Sequence, residues 1–147
     1  MDICIVSADA MLASAAKAKQ QASHQMSNKE FWNAAAPIIT RALDYQDTHT
    51  ITDIEEAIQN KRAQLWVGKK SVLVTQIDGF PRGGKKCRIW LAAGSMSELV
   101  DEMLPAVERW AKEEKCTAVI ISGRKGWARV LAEKQYKQNY VSLERKI

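Results

Sequence analysis

Residues 87–103, "CRIWLAAGSMSELVDEM", change period half-way. The first part is apolar and suits a buried strand. From Met96 onward, Met96, Leu99, Val100 and Met103 recur at helical spacing. Between the two lies Ala93-Gly94-Ser95. A strand that feeds a helix N-terminus leaves free backbone N–H groups at the turn, a common way to build an anion site. Ser95 and Glu98 have the spacing of a capping box, which accounts for both residues without a ligand.

Downstream, the helical stripe continues through Leu104, Val107, Trp110 and Ala111. Pro105 predicts a kink, or a second helix with Pro105 in its first turn. "TAVIIS" (117–122) is a nearly unbroken apolar run, as at the centre of a sheet. "GRKGWARVLAEK" predicts a turn and a short helix, and "YVSLERKI" (140–147) alternates like a strand. Upstream, "AQLWV" and "SVLVTQI" are strands joined by "GKK" as a hairpin, and "GFPRGGKK" is a second turn. Thr52 and Glu55 predict a capping box for a short helix burying Ile54, Ala57 and Ile58. Phe31, Trp32, Ala35, Ile38, Ile39 and Ala42 give a helix from Asn28, with Pro37 starting a second segment. Residues 1–30 hold helix formers with little apolar face and predict an N-terminal helical or mobile arm. Residues 31–147 then form one domain. The element order predicts an α/β fold, a sheet of mixed direction with helices on both faces.

The 147 residues carry a net charge of +5, which allows an acidic partner without demanding one. No stretch approaches the roughly 18 apolar residues of a membrane span. Asp2 and the lack of a basic leading region argue against a secretory signal. Cys4, Cys87 and Cys116 are scattered, and His24 and His49 stand alone, so neither a zinc site nor a disulfide framework is expected. Free thiols fit a reducing cytoplasm.

From about Ile54 to Ile147 the chain resembles the GNAT acyltransferase superfamily, particularly small GNAT-like proteins of tailed phages. The resemblance rests on "RAQLWVG", "SVLVTQIDGFPRG", "RIWLAAGSMSEL", "ERWAKEEKCTAVIISGRKGWARVL" and "LERKI". It implies a mostly antiparallel mixed sheet preceded here by the helical extension. It also implies acetyl-CoA in a wedge where strand 87–93 splays from strand 117–122. Contacts would come from Leu91, Ala92, Ala93, Gly94, Ser95 and Ser97, with Arg124 at the 3'-phosphate. Two departures stand out. The family's Arg/Gln-x-x-Gly-x-Gly/Ala loop is here "AAGSMSEL", with Gly94 alone and Glu98 in the first helical turn. The family's proton-donating tyrosine falls at Leu131 or Ala132. Tyr136 stands where an aromatic core residue normally opens the last strand.

Other chemistry is sparse. Glu55, Glu56, Asp78, Asp101 and Glu102 are carboxylates to test as a base, and no pair has a spacing that singles it out. Glu55 and Tyr136 are the candidates carried for catalysis, and no metal site is expected. His49 beside Asp47 reads as a surface residue. Arg124, Lys125 and Arg129 around Trp127, and Arg82, Lys85 and Lys86 in the second turn, would suit nucleic acid but read more simply as solvated faces. Trp66, Trp90 and Trp110 read as core. Two functions follow. One is a weak or specialised acyl-CoA-dependent N-acetyltransferase. The other is a non-catalytic protein, virion-associated or host-interacting, whose wedge is filled by Trp90 or Met96. Both place the chain in host cytoplasm or phage virion, with a protein partner and no membrane.

Overall fold

A computed structural model describes residues 4–6, 28–44, 48–123 and 125–147. Helix α1 (Asn28–Leu43) buries Ala35, Ile39 and Leu43, four residues apart, as one stripe. It runs unbroken through Pro37, against the expectation of a second segment there. Pro37 stands on the exposed side, so the hydrogen bond it cannot donate is lost where water has access.

Helix α2 (Ile51–Gln59) buries Ile54, Ala57 and Ile58 as expected. Its cap is not Thr52–Glu55. Thr50 is the N-cap, and its hydroxyl accepts from the Asp53 N–H at 3.3 Å while the Asp53 carboxylate accepts from the Thr50 N–H at 2.8 Å. The helix starts two residues before the predicted cap allows, and aspartate takes the place of glutamate in the box. Hydrogen bonds from the Thr50 N–H and hydroxyl hold the Asp53 carboxyl below its ordinary value. Thr50→Ala should cost about 1 kcal/mol in urea or thermal unfolding. Thr52→Ala, on the exposed flank, should change little.

The strands are β1 (Cys4–Val6), β2 (Gln64–Val67), β3 (Val72–Gly79), β4 (Lys85–Ala93) and β5 (Ala118–Ile121). Among the described residues they form one sheet in chain order, antiparallel except for the parallel β4–β5 pair. The sheet begins inside the predicted N-terminal arm: residues 4–6 are a strand on the edge of β2, with Ile5 opposite Trp66. The run "CIV" has β-propensity, and the edge of β2 gives it a ladder. Residues 28–30 of the predicted arm belong to α1, and residues 1–3 and 7–27, with His24 among them, and Asp47 lie outside the described residues.

The sheet separates two cores. On one side α1 and α2 pack Ala35, Ile39, Ile54 and Ile58 against Leu65, Val72, Val74 and Leu91. On the other, Leu99, Met103, Leu104 and Val107 cover Trp66, Leu73, Cys87 and Ile89. Trp66 meets Trp110 edge-on at 5.5 Å, and its indole N–H donates to the Thr75 hydroxyl at 3.0 Å.

The covering helix is α3 (Met96–Glu98), a π-turn (Leu99–Met103) and α4 (Leu104–Glu113). Pro105 sits in the first turn of α4, where its missing N–H costs least. The π-turn before it is closed by the Leu104 N–H on the Leu99 carbonyl.

Two expectations fail together at the other edge. "TAVIIS" lies at the margin of the sheet, as β5, not at its centre. After α5 (Lys125–Leu131) and a 3₁₀ turn (Ala132–Lys134), residues 137–147 form no strand. Alternation supplies a face, but a strand also needs a neighbour for its N–H and C=O groups.

Candidate functional site

Strand β4 is where the two sides of the sheet diverge. Its pairing with β3 steps from Thr75↔Ile89 to Val74↔Leu91, which leaves Trp90 as a bulge. Trp90 and Leu91 consequently both pack on the α1–α2 side. The parallel pairing with β5 ends at Ile89↔Ile121, while β4 continues to Ala93. β5 ends there, paired along its whole length, so β4 runs on without a described strand on that edge, at the place of the predicted wedge.

The turn at its mouth is bound up with the β2–β3 hairpin. Gly94 has φ of +119°, and an added Cβ would lie 2.4 Å from the Lys70 carbonyl. Such close approach is open only to glycine. The Ser95 N–H donates to the buried Ser71 hydroxyl at 2.8 Å, and that hydroxyl donates to the Ser95 carbonyl at 3.3 Å. Ser95 Oγ accepts from the Glu98 N–H at 3.5 Å and lies 3.1 Å from Ser97 Oγ.

Only half of the predicted capping box forms. The Glu98 side chain does not return to Ser95. Its two oxygens accept from the N–H groups of Lys69 and Lys70, each at 2.9 Å. Burial alone would raise this carboxyl. The bonds from the Lys70 and Lys69 N–H groups, with the nearby Ser71 side chain and the Lys69 charge, outweigh it and hold it below its ordinary value. The hairpin is thus an anion nest whose anion is Glu98.

For a pyrophosphate, the loop offers the Met96 and Ser97 amides of the first helical turn and the exposed Ser97 hydroxyl. The Ser95 amide is already committed. These groups fit an anion only in part. Leu91 is buried on the α1–α2 side, while Ala92 packs on the opposite side. Neither Trp90 nor Met96 fills the wedge, since Met96 is 43% exposed and Trp90 lies on the other side. Instead Leu73, Ile89, Ala92, Leu99, Leu104, Ile121 and Trp127 leave an apolar hollow of about 10 Å³. Trp127 lies tight against Gly123. Arg124 lies outside the described residues.

The larger cavity, about 540 Å³, lies on the α1–α2 side, in the usual size range of ligand sites. It is lined by Thr48, His49, Asp53, Glu56, Ala57, Arg62, Gln76, Arg88 and Trp90. The His49 ring meets Trp90 edge-on at 4.9 Å, and its Nδ1 shares a 2.9 Å hydrogen bond with the Thr48 hydroxyl. Arg88 is held by Asp78 at 2.9 Å and by Gln76. Among the described residues no hydrogen bond or ion pair engages the Glu56 carboxylate, while its carbonyl accepts from the Asn60 N–H at 2.9 Å.

The catalytic candidates fall elsewhere. Half-buried Glu55 does not line the cavity; its neighbour Glu56 does, one turn after Asp53. The Tyr136 hydroxyl donates to Glu108 at 3.0 Å, and burial first, then that carboxylate, pushes its pKa up. Asp101 pairs with Lys134 at 3.6 Å. Leu131 is buried and Ala132 exposed, so the expected position of the proton donor holds no hydroxyl. The two basic groups are also apart. Arg82, Lys85 and Lys86 lie at the start of β4, tied to the start of β5 by the Thr117 N–H on the Lys85 carbonyl at 2.8 Å. Lys125 and Arg129 follow the far end of β5. Lys86 covers Phe80 at 5.5 Å. Of the residues missed in the sequence, Gln76 and Arg88 join the cavity through the β3–β4 register, and Arg62 through the turn after α2, where its N–H donates to the Ala57 carbonyl at 2.8 Å.

No helix among the described residues is long and apolar enough to cross a membrane. No protein-family model matches the chain, and no curated protein matches it in sequence. Solved structures do match. A ribosomal-protein-alanine N-acetyltransferase from Brucella melitensis biovar Abortus 2308 is 8% identical over 100% of both chains, with a TM-score of 0.65. A probable acetyltransferase is 9% identical over 100% of this chain and 98% of its own, at 0.67. A predicted acetyltransferase from Clostridium acetobutylicum, solved with acetyl-CoA, is 12% identical over 99% and 95%, at 0.59. At such identities the likeness speaks to architecture, and in architecture this chain carries the GNAT acetyltransferase fold.

Proposed function

We propose that the chain is a weak acyl-CoA-dependent N-acyltransferase. The observation that carries this is β4 itself, bulged at Trp90 and free of β5 beyond Ile89, with a cavity beside Trp90 on one side and the Gly94–Ser97 turn at its end. A bound acyl-CoA supplies the acyl thioester. The Met96 and Ser97 amides would hold its phosphates, and the backbone of 91–93 would line its arm. The acceptor amine enters the 540 Å³ cavity, where Trp90 presents a ring face or edge and Glu56 is free to take a proton. Cofactor binding is weak because Ser71 already occupies the Ser95 N–H.

A second reading keeps the scaffold without the chemistry, as a virion-associated or host-interaction protein of a phage. It is favoured by the nearly filled hollow against Trp127 and by the missing hydroxyl at Leu131–Ala132.

Calorimetric titration with acetyl-CoA separates the two. The first reading expects a saturable dissociation constant near 100 μM, about −5.5 kcal/mol. Absence of heat and of thermal stabilisation at millimolar acetyl-CoA would sink it and leave the second.

A further inference from the structure

The cavity beside Trp90 carries charges of both signs: Asp53 and Glu56 on α2, Arg62 after it, and Arg88 on β4. Two of these are already committed. Arg88 is held by Asp78 and Gln76, and the Asp53 carboxylate accepts from the Thr50 N–H and hydroxyl at 2.8 and 3.0 Å. The other two are open. Among the described residues neither the Glu56 carboxylate nor the Arg62 guanidinium has a hydrogen bond or ion pair, so they do not pair with each other. The backbone holds both at the end of α2. The Asn60 N–H donates to the Glu56 carbonyl at 2.9 Å, the chain turns at Lys61 with φ of +62°, and the Arg62 N–H returns to the Ala57 carbonyl.

We infer that the acceptor is a small amino acid, an amine that also carries a carboxylate, with its ammonium on Glu56 and its carboxylate on Arg62; this rests on the reading of the cavity as the acceptor site. A ligand with both charges answers both open groups. A bare amine would meet Arg62 as a like charge, and a bare acid would meet Glu56 as one. The guanidinium offers a planar fork of donors that matches a carboxylate. One open guanidinium balances the single charge of a carboxylate, whereas a phosphate ester carries up to about two. The cavity of about 540 Å³ suits a small molecule. The Trp90 ring, edge-on to His49, and the Ala57 methyl give the ligand's carbon chain an apolar contact.

NMR titration of the full chain, followed at the Trp90 indole N–H, tests this. The probes are glycine, β-alanine and 4-aminobutyrate, each beside the amine and the carboxylate of the same length. Each is titrated with and without millimolar coenzyme A, which has no acyl group to transfer. At least one amino acid should bind about fivefold more tightly than either of its controls, since an exposed ion pair is worth up to about that factor. Arg62→Gln should remove the advantage over the amine and leave the amine's own affinity unchanged. Glu56→Gln should do the same with respect to the carboxylate, a selectivity that misfolding cannot produce. An amine that binds as tightly as its amino acid overturns the inference. So does an indole unmoved by all three amino acids, or an advantage that survives both substitutions. Transfer is read separately. Amino-acid binding without acetyl-CoA binding would remove the acyltransferase and keep the ligand, whereas equal acetylation of amine and amino acid would do the reverse.

Discussion

Glu98→Ala should be among the most damaging single substitutions in this chain. The carboxylate is 8% exposed and accepts two backbone hydrogen bonds, from Lys69 and Lys70. A bond to a charged acceptor is worth about 1.5–3 kcal/mol, and some is recovered because the hairpin can turn to water, so the net loss should be about 3 kcal/mol. The acid limb of stability carries the same signature. Because the folded carboxyl is held below its ordinary value, its contribution is complete above the unfolded value of about 4.3. It disappears as pH falls through the lower folded value. Urea midpoints for wild type and Glu98→Gln should therefore converge as pH falls from 7 toward about 3. Unaltered midpoints in Glu98→Ala at pH 7 would show that the hairpin does not depend on this anion.

Gly94→Ala should be comparably severe, by a different route. The backbone there has φ of +119°, and the new methyl would sit 2.4 Å from the Lys70 carbonyl and 2.5 Å from Ser71 Cα. Strain at such a dihedral costs about 1–3 kcal/mol, and both neighbours are backbone that cannot simply rotate away. A total of about 3 kcal/mol or more is expected. Gly126→Ala is the control: it lies in α5 with open space around its Cα, so alanine should be neutral or raise stability by up to about 1 kcal/mol. Thermal melts of the pair decide it. Equal effects would mean that the turn at Gly94 yields easily.

Both substitutions bear on what the sequence disclosed. Helix spacing at Leu99, Val100, Met103 and Leu104, and the hairpin at "GKK", are local signals, and the fold follows them. Ser95 and Glu98 also announced a capping box, but a partner far along the chain, the Lys69–Lys70 turn, competes for that carboxylate and wins. Thr52–Glu55 misled in a simpler way, since Thr50–Asp53 satisfies the same rule with the helix begun earlier. The cavity was less legible. Asp53 and Glu56 share a helix face by spacing, but Gln76 and Arg88 meet only through the β3–β4 register. The strand-like run at 140–147 was legible as a pattern. Pairing is a property of two segments, and one pattern cannot name the other.

The bulge at Trp90 also gives β4 two parities. Cys87 and Ile89 are odd-numbered and face the α3–α4 core, yet odd-numbered Leu91 faces α1 and α2. No uninterrupted strand can do this, because its sides swap with every residue. The extra residue shifts the count by one: odd-numbered residues before it face one core and odd-numbered Leu91 after it faces the other. Deleting Trp90 would therefore restore plain alternation, with Leu91 directly after Ile89 and on the opposite side. Leu91 and Ala92 would keep the sides they now face, and what would be lost is the bulge together with the indole beside the cavity.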